Sequence, residues 1–149
     1  MEKILLVTFI FITSLGFAQE HVNTKNGYAA EGYDVVSYFS NVAKKGDEKY
    51  STTFQGVKYK FSSKKNLDIF KSDPIQYIPQ YGGFCAYAVA VKNEKVGVNP
   101  KTFQVVDGKL YLFYNSWGVN TLDKWNEEDP EDLMLKAESN WNSIVKKGS

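Results

Sequence analysis

One cysteine, Cys85, is the residue of this chain with the most distinctive reactivity. It is the single cysteine among 149 residues, and it follows Gly82-Gly83 near the start of an apolar segment, 84–91, that is typical of a buried helix. The first N–H groups of a helix and its dipole stabilise an anion, and the thiolate is the form of cysteine that binds soft metals. Cys85 is therefore a candidate ligand for a soft ion such as Cu(I).

A metal held by Cys85 would need a second donor from elsewhere. The candidates are Met134, the single histidine His21, a tyrosine or a second subunit. Met134 lies among residues with helical spacing and is expected to pack in the core, and His21 lies in an N-terminal arm that is expected to be exposed. The alternative is that Cys85 is a small buried hydrophobe, because free cysteine is among the most buried residue types. The sequence leaves both hypotheses open.

The residues around Cys85 also form a candidate site for an organic ligand. Tyr81 and Tyr87 each offer an apolar ring with one polar hydroxyl, which suits ligand contact at low entropy cost. Gly82 and Gly83 adopt positive φ without steric cost and permit the close approach of a ligand. We therefore predict a ligand-binding site at Tyr81, Gly82, Gly83 and Tyr87.

Catalysis by the cysteine is not expected. A nucleophilic thiol needs a general base, usually a histidine oriented by a third group, and His21 lies too near the N-terminus to be preorganised. The chain also lacks a nucleophile elbow, a phosphate loop, a dinucleotide fingerprint and an HExxH pair. The sequence predicts a non-catalytic protein whose partner is a metal ion or a small ligand, with copper as the one candidate cofactor.

The charge of the chain argues against a nucleic-acid partner. The formal net charge is +1, from 18 basic and 17 acidic residues, and every basic residue is lysine. Without arginine the chain lacks the forked donor that binds phosphates in a bidentate manner. The even balance likewise gives no basic footprint for a polyanion.

The N-terminus resembles a secretory signal. One lysine precedes an uncharged apolar run from Ile4 to Phe17, and Gly16-Phe17-Ala18 supplies the small residues of a cleavage site. The run has roughly 14 residues, short of the ~20 that span a bilayer, so no stable membrane insertion is expected after cleavage. We predict a signal peptide at 1–18 and an exported protein, periplasmic or secreted, that starts near Gln19.

The elements that would position these residues can be read from the hydrophobic pattern. Residues 49–54 and 57–61 alternate about Gln55-Gly56, and 103–106 and 109–114 flank Asp107-Gly108, so each pair predicts a β-hairpin. A helix is expected over 62–72, a turn over 74–77, a helix over 84–91 and a loop over 93–100. Beyond Asn115 the period becomes helical, with Trp117, Leu122 and Trp125 ahead of Pro130, which predicts two closing helices.

These elements indicate the α+β class. We expect a small twisted antiparallel sheet built from hairpins and covered by several helices, including the two at the C-terminus. The polar segment 19–30 is expected to be an N-terminal arm, and 31–149 a single domain.

The stretch from Tyr59 to Ala86 resembles the YHS domain. The features that carry the resemblance are Tyr59, Phe61, Ser62, Ser63, Asn66, Phe70, Asp73, Pro74 and Tyr77, followed by Pro79-Gln80-Tyr81-Gly82-Gly83-Phe84-Cys85-Ala86. The second group looks like the longer, secreted form of this domain. The resemblance extends upstream to Gly32 and downstream to Trp141, which implies one YHS-like domain over nearly all of the mature chain.

The chain departs from the metal-binding members of that family at three positions. Short YHS domains that bind metals are similar around their cysteines, and this chain has Ser37, Ser62 and Asn66 where they carry cysteine. Neutral hydroxyls and amides are poor ligands for soft cations, so a multi-cysteine metal cage is excluded. The resemblance predicts soft-metal binding through Cys85. The alternative is an organic-ligand or protein-interaction module in which Cys85 is buried and structural, and the oligomeric state is left open.

Overall fold

The computed structural model describes residues 20–148, and it confirms the α+β class. The predicted signal peptide, 1–18, lies outside the described residues. None of the described helices is long and apolar enough to cross a membrane.

The first sheet has four strands, in the order β1-β2-β4-β3, and contains one parallel pair. Tyr28 of β2 lies opposite Lys58 of β4 in that parallel pairing, whereas the other neighbours are antiparallel. The sheet is therefore mixed and not purely antiparallel as predicted, because the N-terminal arm supplies two of its strands. The strands are β1 (Thr24–Lys25), β2 (Tyr28–Ala29), β3 (Asp47–Phe54) and β4 (Val57–Phe61).

The predicted hairpin at Gln55-Gly56 is confirmed. Both turn residues have positive φ, 49° and 77°, as a two-residue turn that matches the twist of the strands requires. Val57, Tyr59 and Phe61 are buried while Lys58 is exposed, so β4 shows the expected alternation.

The predicted hairpin at Asp107-Gly108 is also confirmed, but it forms a separate two-stranded sheet. Its strands are β5 (Asn99–Val106) and β6 (Lys109–Phe113), so β5 begins within the predicted loop 93–100. β6 does not alternate, because every residue from Leu110 to Phe113 is buried. This strand runs through the interior, where both of its faces are covered.

Three helices follow the first sheet, and local signals define their ends. Ser63 caps the first by accepting a hydrogen bond from the backbone N of Asn66 at 3.1 Å. Pro74 occupies the first turn of the second, where its missing N–H costs nothing. The helices are α1 (Lys64–Ser72), α2 (Pro74–Tyr77) and α3 (Ala86–Lys92).

The two predicted closing helices are confirmed as α4 (Thr121–Glu127) and α5 (Pro130–Lys147). Trp117 does not belong to either of them. It lies at the tip of a short hairpin, β7 (Asn115–Ser116) and β8 (Val119–Asn120), with φ of 53° and 94% exposure. Its apolar side chain suggested a helical period, whereas the backbone forms a Trp-Gly turn.

β6 separates two hydrophobic cores. Leu110 and Leu112 pack into a core with the first sheet and α1, while Tyr111 and Phe113 pack into a core with α3, α4 and α5. Because successive side chains of a strand point to opposite faces, this one strand joins both cores. A cleft opens at the junction between the two cores.

Candidate functional site

A cleft of about 780 Å³ lies at the junction of the two cores. The first core contributes Tyr59 and Ile78 to its wall, and the second contributes Tyr81, Tyr111 and Trp141. The cleft is thus built from a hairpin, a short turn, the interior strand β6 and one face of α5, which are distant in the sequence.

The turn at Tyr81 to Gly83 has an unusual backbone. Tyr81, Gly82 and Gly83 have φ of 54°, 60° and 78° in succession. Glycine adopts these angles freely, but a bulky residue such as Tyr81 adopts them at a cost that the surrounding packing must offset. The Tyr81 ring is buried against Tyr111 and Trp141, with centroid separations of 6.0 Å and 6.3 Å. Backbone strain of this kind clusters at functional sites.

The N-terminal arm holds this turn in place. The backbone N of Asn23 donates to the Gly82 carbonyl oxygen at 2.8 Å, and Asn23 Nδ2 donates to the Gly83 carbonyl oxygen at 3.2 Å. A Cβ on Gly82 would overlap the carbonyl oxygen of His21. The close approach that glycine was expected to permit is therefore an approach of the chain's own arm.

The structure differs from the prediction that His21 is exposed. Its side chain lines the cleft, and its ring meets Trp141 edge-on with centroids 6.2 Å apart and an interplanar angle of 86°. Its Nδ1 is buried and has no hydrogen-bond partner among residues 20–148. The arm is held in place because the backbone N and the side chain of Asn23 both bond to the glycine turn, and the side-chain bond to Gly83 links residues 60 positions apart.

The phenols of Tyr81 and Tyr111, two of the tyrosines that line the cleft, are held neutral. Burial raises the pKa of Tyr81, and the nearby Tyr111 and Glu138 raise it further. Burial also raises the pKa of Tyr111, as do the carboxylates of Glu138 and Asp107. The Tyr111 hydroxyl donates to Met134 Sδ at 3.4 Å. Both rings therefore meet the cleft as uncharged aromatic groups at physiological pH.

Cys85 precedes α3 as predicted, but it lies in the packed interior and is fully buried. Its Sγ is 3.3 Å from Thr121 Oγ1, and Thr121 Oγ1 in turn donates to the Tyr114 carbonyl oxygen at 2.8 Å. Because the single hydroxyl proton of Thr121 is used on Tyr114, the sulfur must be the donor to Thr121. The contact is satisfied by the neutral thiol.

The candidate metal donors are not brought together. Met134 and His21 line the cleft, whereas Cys85 contacts Thr121 in the interior. No group of three or more His, Cys, Asp or Glu residues suited to a metal ion occurs in the described part of the chain.

The four predicted ligand-binding residues fall in different surroundings. Tyr81 and Gly82 line the cleft, and Gly83 is buried beside Pro79. Tyr87 instead donates a hydrogen bond from its hydroxyl to Glu128 Oε1 at 2.6 Å, and this bond raises the pKa of Tyr87 to about 12.

A second constellation surrounds Asp34, which sequence reasoning missed. Asp34 is fully buried, and its Oδ1 accepts hydrogen bonds from the backbone N of Val36 at 3.0 Å and of Ser37 at 3.2 Å. Its Oδ2 accepts from Ser62 N at 2.9 Å, Ser62 Oγ at 2.7 Å and Asn66 Nδ2 at 2.7 Å. We refer to Asp34, Ser37, Ser62 and Asn66 as the Asp34 node.

The three positions where the resemblance implies cysteine in metal-binding members therefore converge on one carboxylate. Ser62 and Asn66 donate through their side chains, and Ser37 through its backbone N–H, while Ser37 Oγ bonds to the carbonyl oxygens of Asp34 and Val42. In this chain the node is a network of internal hydrogen bonds. The sequence did hold one indication of the node, because Asp34 is an ionisable residue inside an apolar segment.

Comparison with known protein families agrees with the resemblance to the YHS domain. Residues 40–81 match the family model of the YHS domain. The matched range begins at Ser40, three residues after Ser37. It includes β3, β4, α1 and α2, and it ends at Tyr81. No curated protein and no solved structure matches the chain.

Proposed function

We propose that this chain is an exported, non-catalytic YHS-domain protein that binds a small organic molecule in the cleft between its two cores. The observation that carries the proposal is the cleft itself. Its volume of about 780 Å³ is within the range of about 300–1,000 Å³ that is typical of small-molecule sites.

The rim of the cleft supports this proposal. Ile75 and Leu135 line the cleft and are 61% and 70% exposed. Apolar side chains of this size at the mouth of an aromatic-lined cleft would cover the apolar part of a bound molecule and lose their contact with water. Polar groups also line the wall, including the Tyr81 and Tyr111 hydroxyls, and polar contacts of this kind orient a bound ligand.

Export is the part of the proposal that rests on the sequence of residues 1–18. Cleavage after Ala18 would leave Gln19 and Glu20 next to His21, which lines the cleft. Intact-mass measurement of the protein from the exported fraction is expected to give a chain that starts at or near Gln19. A membrane-pelleted protein that retains residues 1–18 would contradict this part of the proposal.

Copper binding through Cys85 stays a prediction, and we rank it second. The buried thiol would have to lose its proton and its contact with Thr121, and a path to solvent would have to open. The organic-ligand hypothesis requires no such rearrangement, because the cleft is already open to solvent.

The test uses Nile red, an uncharged dye whose fluorescence increases in apolar surroundings. We expect the wild-type protein to bind it, and the double variant Ile75→Lys with Leu135→Lys to bind it at least about fivefold more weakly, since each lysine places a charge at the apolar rim. The matched control is Val42→Lys with Val91→Lys, at two exposed apolar positions that do not line the cleft. Absence of binding to wild type, or equal losses in both double variants, would refute the proposal.

A further inference from the structure

The charges at the wall of the cleft are uneven. Asp107, Glu131 and Glu138 contribute three carboxylates, whereas Lys109 contributes one ammonium group. The chain as a whole is close to neutral, so the excess of carboxylates is a local property of this surface. An anionic ligand would meet net repulsion here, and a cation would meet net attraction.

The aromatic rings of the cleft are inclined to one another instead of stacked. Tyr81 makes an interplanar angle of 51° with Tyr111 and 62° with Trp141, and Trp141 makes an angle of 86° with His21. Rings arranged in this way form a corner, in which more than one π face or edge can contact the same group. Inclined aromatic rings combined with carboxylates are the groups that recognise organic ammonium ions.

We propose that the ligand of the cleft is a small organic cation, a protonated amine that carries an apolar body. This inference rests on the proposed function and names the chemical class of the ligand. Trp141, Tyr81 and Tyr111 supply the aromatic contacts. Glu138 supplies an opposite charge, and Ile75 and Leu135 cover the apolar body.

Glu138 is the residue that connects the charge to the rings. It lies on α5, three positions before Trp141, so both side chains project from one face of the helix. Its carboxylate is also a common cause of the raised pKa values of Tyr81 and Tyr111, after burial, which means that its negative potential reaches both phenols. A cation placed between these rings would experience the same potential with the opposite, favourable sign.

Three probes of similar size separate charge from apolar contact: benzylammonium, benzyl alcohol and benzoate. We expect isothermal titration at neutral pH and low salt to give the order benzylammonium, benzyl alcohol, benzoate, with about a three- to tenfold preference for benzylammonium over benzyl alcohol. Equal affinity for the charged and uncharged probes, or tighter binding of benzoate, would overturn the inference.

The matched variants are Glu138→Gln at the cleft and Glu94→Gln in the loop before β5, both at exposed positions. Glu138→Gln is expected to remove most of the preference for benzylammonium and to leave benzyl alcohol binding unchanged. Glu94→Gln is expected to leave both unchanged. A preference that survives Glu138→Gln, or that falls equally in Glu94→Gln, would contradict the assigned role of Glu138.

The failure of this inference can be distinguished from failure of the proposed function. One outcome is that Nile red binding is lost in the double variant Ile75→Lys with Leu135→Lys, while benzylammonium, benzyl alcohol and benzoate bind with equal affinity. The cleft is then a ligand site, and the proposed ligand class is wrong. If Nile red and all three probes fail to bind, the cleft is not a site for small organic molecules and both proposals are refuted.

Discussion

The Asp34 node and the cleft differ in how their polar groups are placed: those of the node bond to one another, whereas those of the cleft face an open volume. At the node, a fully buried carboxylate accepts five hydrogen bonds from Val36, Ser37, Ser62 and Asn66. At the cleft, phenols, carboxylates and the His21 ring face an open volume of about 780 Å³. The node has its hydrogen-bonding capacity filled from within the chain, whereas the cleft has capacity left for a ligand.

This difference indicates where a ligand can bind when Ser37, Ser62 and Asn66 occupy the positions at which the resemblance implies cysteine. Serine and asparagine at those positions create a structural network, because their donors are matched by the carboxylate of Asp34. The strained backbone at Tyr81 lies at the other region. Stability is therefore expected to depend on the node, and ligand binding on the cleft.

The largest effect is expected from Asp34→Ala. Removal of the carboxylate leaves five donors without their partner, two of them buried and three partly buried, so the free energy of unfolding should fall by about 3–5 kcal/mol. Urea unfolding measures this loss, and the Nile red affinity of the folded fraction should stay near that of wild type. The control is Asp68→Ala, which removes an exposed pair with Lys64 and should cost no more than about 1 kcal/mol. Similar losses in the two variants would remove the structural role assigned to the node.

Gly82→Ala should cause the next largest fall in the free energy of unfolding, and it changes a residue that lines the cleft. Gly82 has φ of 60°, and a Cβ there would overlap the His21 carbonyl oxygen. Gly118→Ala is the matched control, because Gly118 has φ of 75° but its Cβ would meet no atom within 4 Å. Both variants should lose about 1 kcal/mol from backbone strain, and Gly82→Ala should lose about 1–3 kcal/mol more.

Ligand binding distinguishes these two glycine variants further. Displacement of the arm by Gly82→Ala would move His21 away from Trp141 and should weaken Nile red binding, which Gly118→Ala should leave unchanged. Equal stability and equal dye binding in the two variants would show that the arm does not shape the cleft.

A smaller change in the free energy of unfolding is expected at Cys85, where thiol labelling also distinguishes a buried cysteine from a metal ligand. Because the thiol is buried and donates to Thr121, a disulfide reagent is expected to label it slowly in the folded protein and rapidly in denaturant. Cys85→Ser should lower the free energy of unfolding by about 1 kcal/mol, since the smaller oxygen fits this packed position less well. Rapid labelling of the folded protein, with Cu(I) binding that is lost in Cys85→Ser, would restore the copper hypothesis.

The smallest change in the free energy of unfolding is expected at Tyr87, which does not line the cleft. Its hydrogen bond to Glu128 raises its pKa from an ordinary value near 10 to about 12. A group with a raised folded-state pKa stabilises the protein fully below the unfolded value, and that contribution is lost as the pH rises through about 12. Tyr87→Phe should therefore be slightly less stable than wild type at neutral pH, with a difference that vanishes above pH ~12.

A double-mutant cycle of Tyr87→Phe and Glu128→Gln, followed by thermal unfolding across this pH range, measures that interaction. A coupling that is independent of pH would exclude the phenol–carboxylate bond as its source. Nile red binding should be unaffected in all members of the cycle.

Local sequence signals predicted the two longer hairpins and the two closing helices. Gln55-Gly56 and Asp107-Gly108 define their turns within a few residues, and Asp129-Pro130 defines the start of α5, so short-range chemistry was sufficient. Asn26-Gly27 carries the same signal, with φ of 52° and 81°, but its strands have only two residues each and gave no alternation to recognise.

The cleft was predictable only in part. Tyr81 and Gly82 stood out because a Gly-Gly turn beside aromatic residues is a local pattern. The contributions of His21, Tyr111 and Glu138 depend on long-range packing around β6, which no local pattern records. The same holds for Asp34, whose partners at Ser62 and Asn66 are 28 and 32 residues away.

The most direct test of the central claim is a map of amide and indole chemical shifts during parallel titrations with benzylammonium and benzyl alcohol. We expect the perturbed signals to belong to the cleft, chiefly to Tyr81, Gly82, Tyr111 and the Trp141 indole, with the larger shifts from benzylammonium. Signals of Ser62, Asn66 and Cys85 should not move. Perturbations centred on the Asp34 node or on Cys85, or none with either probe, would contradict it.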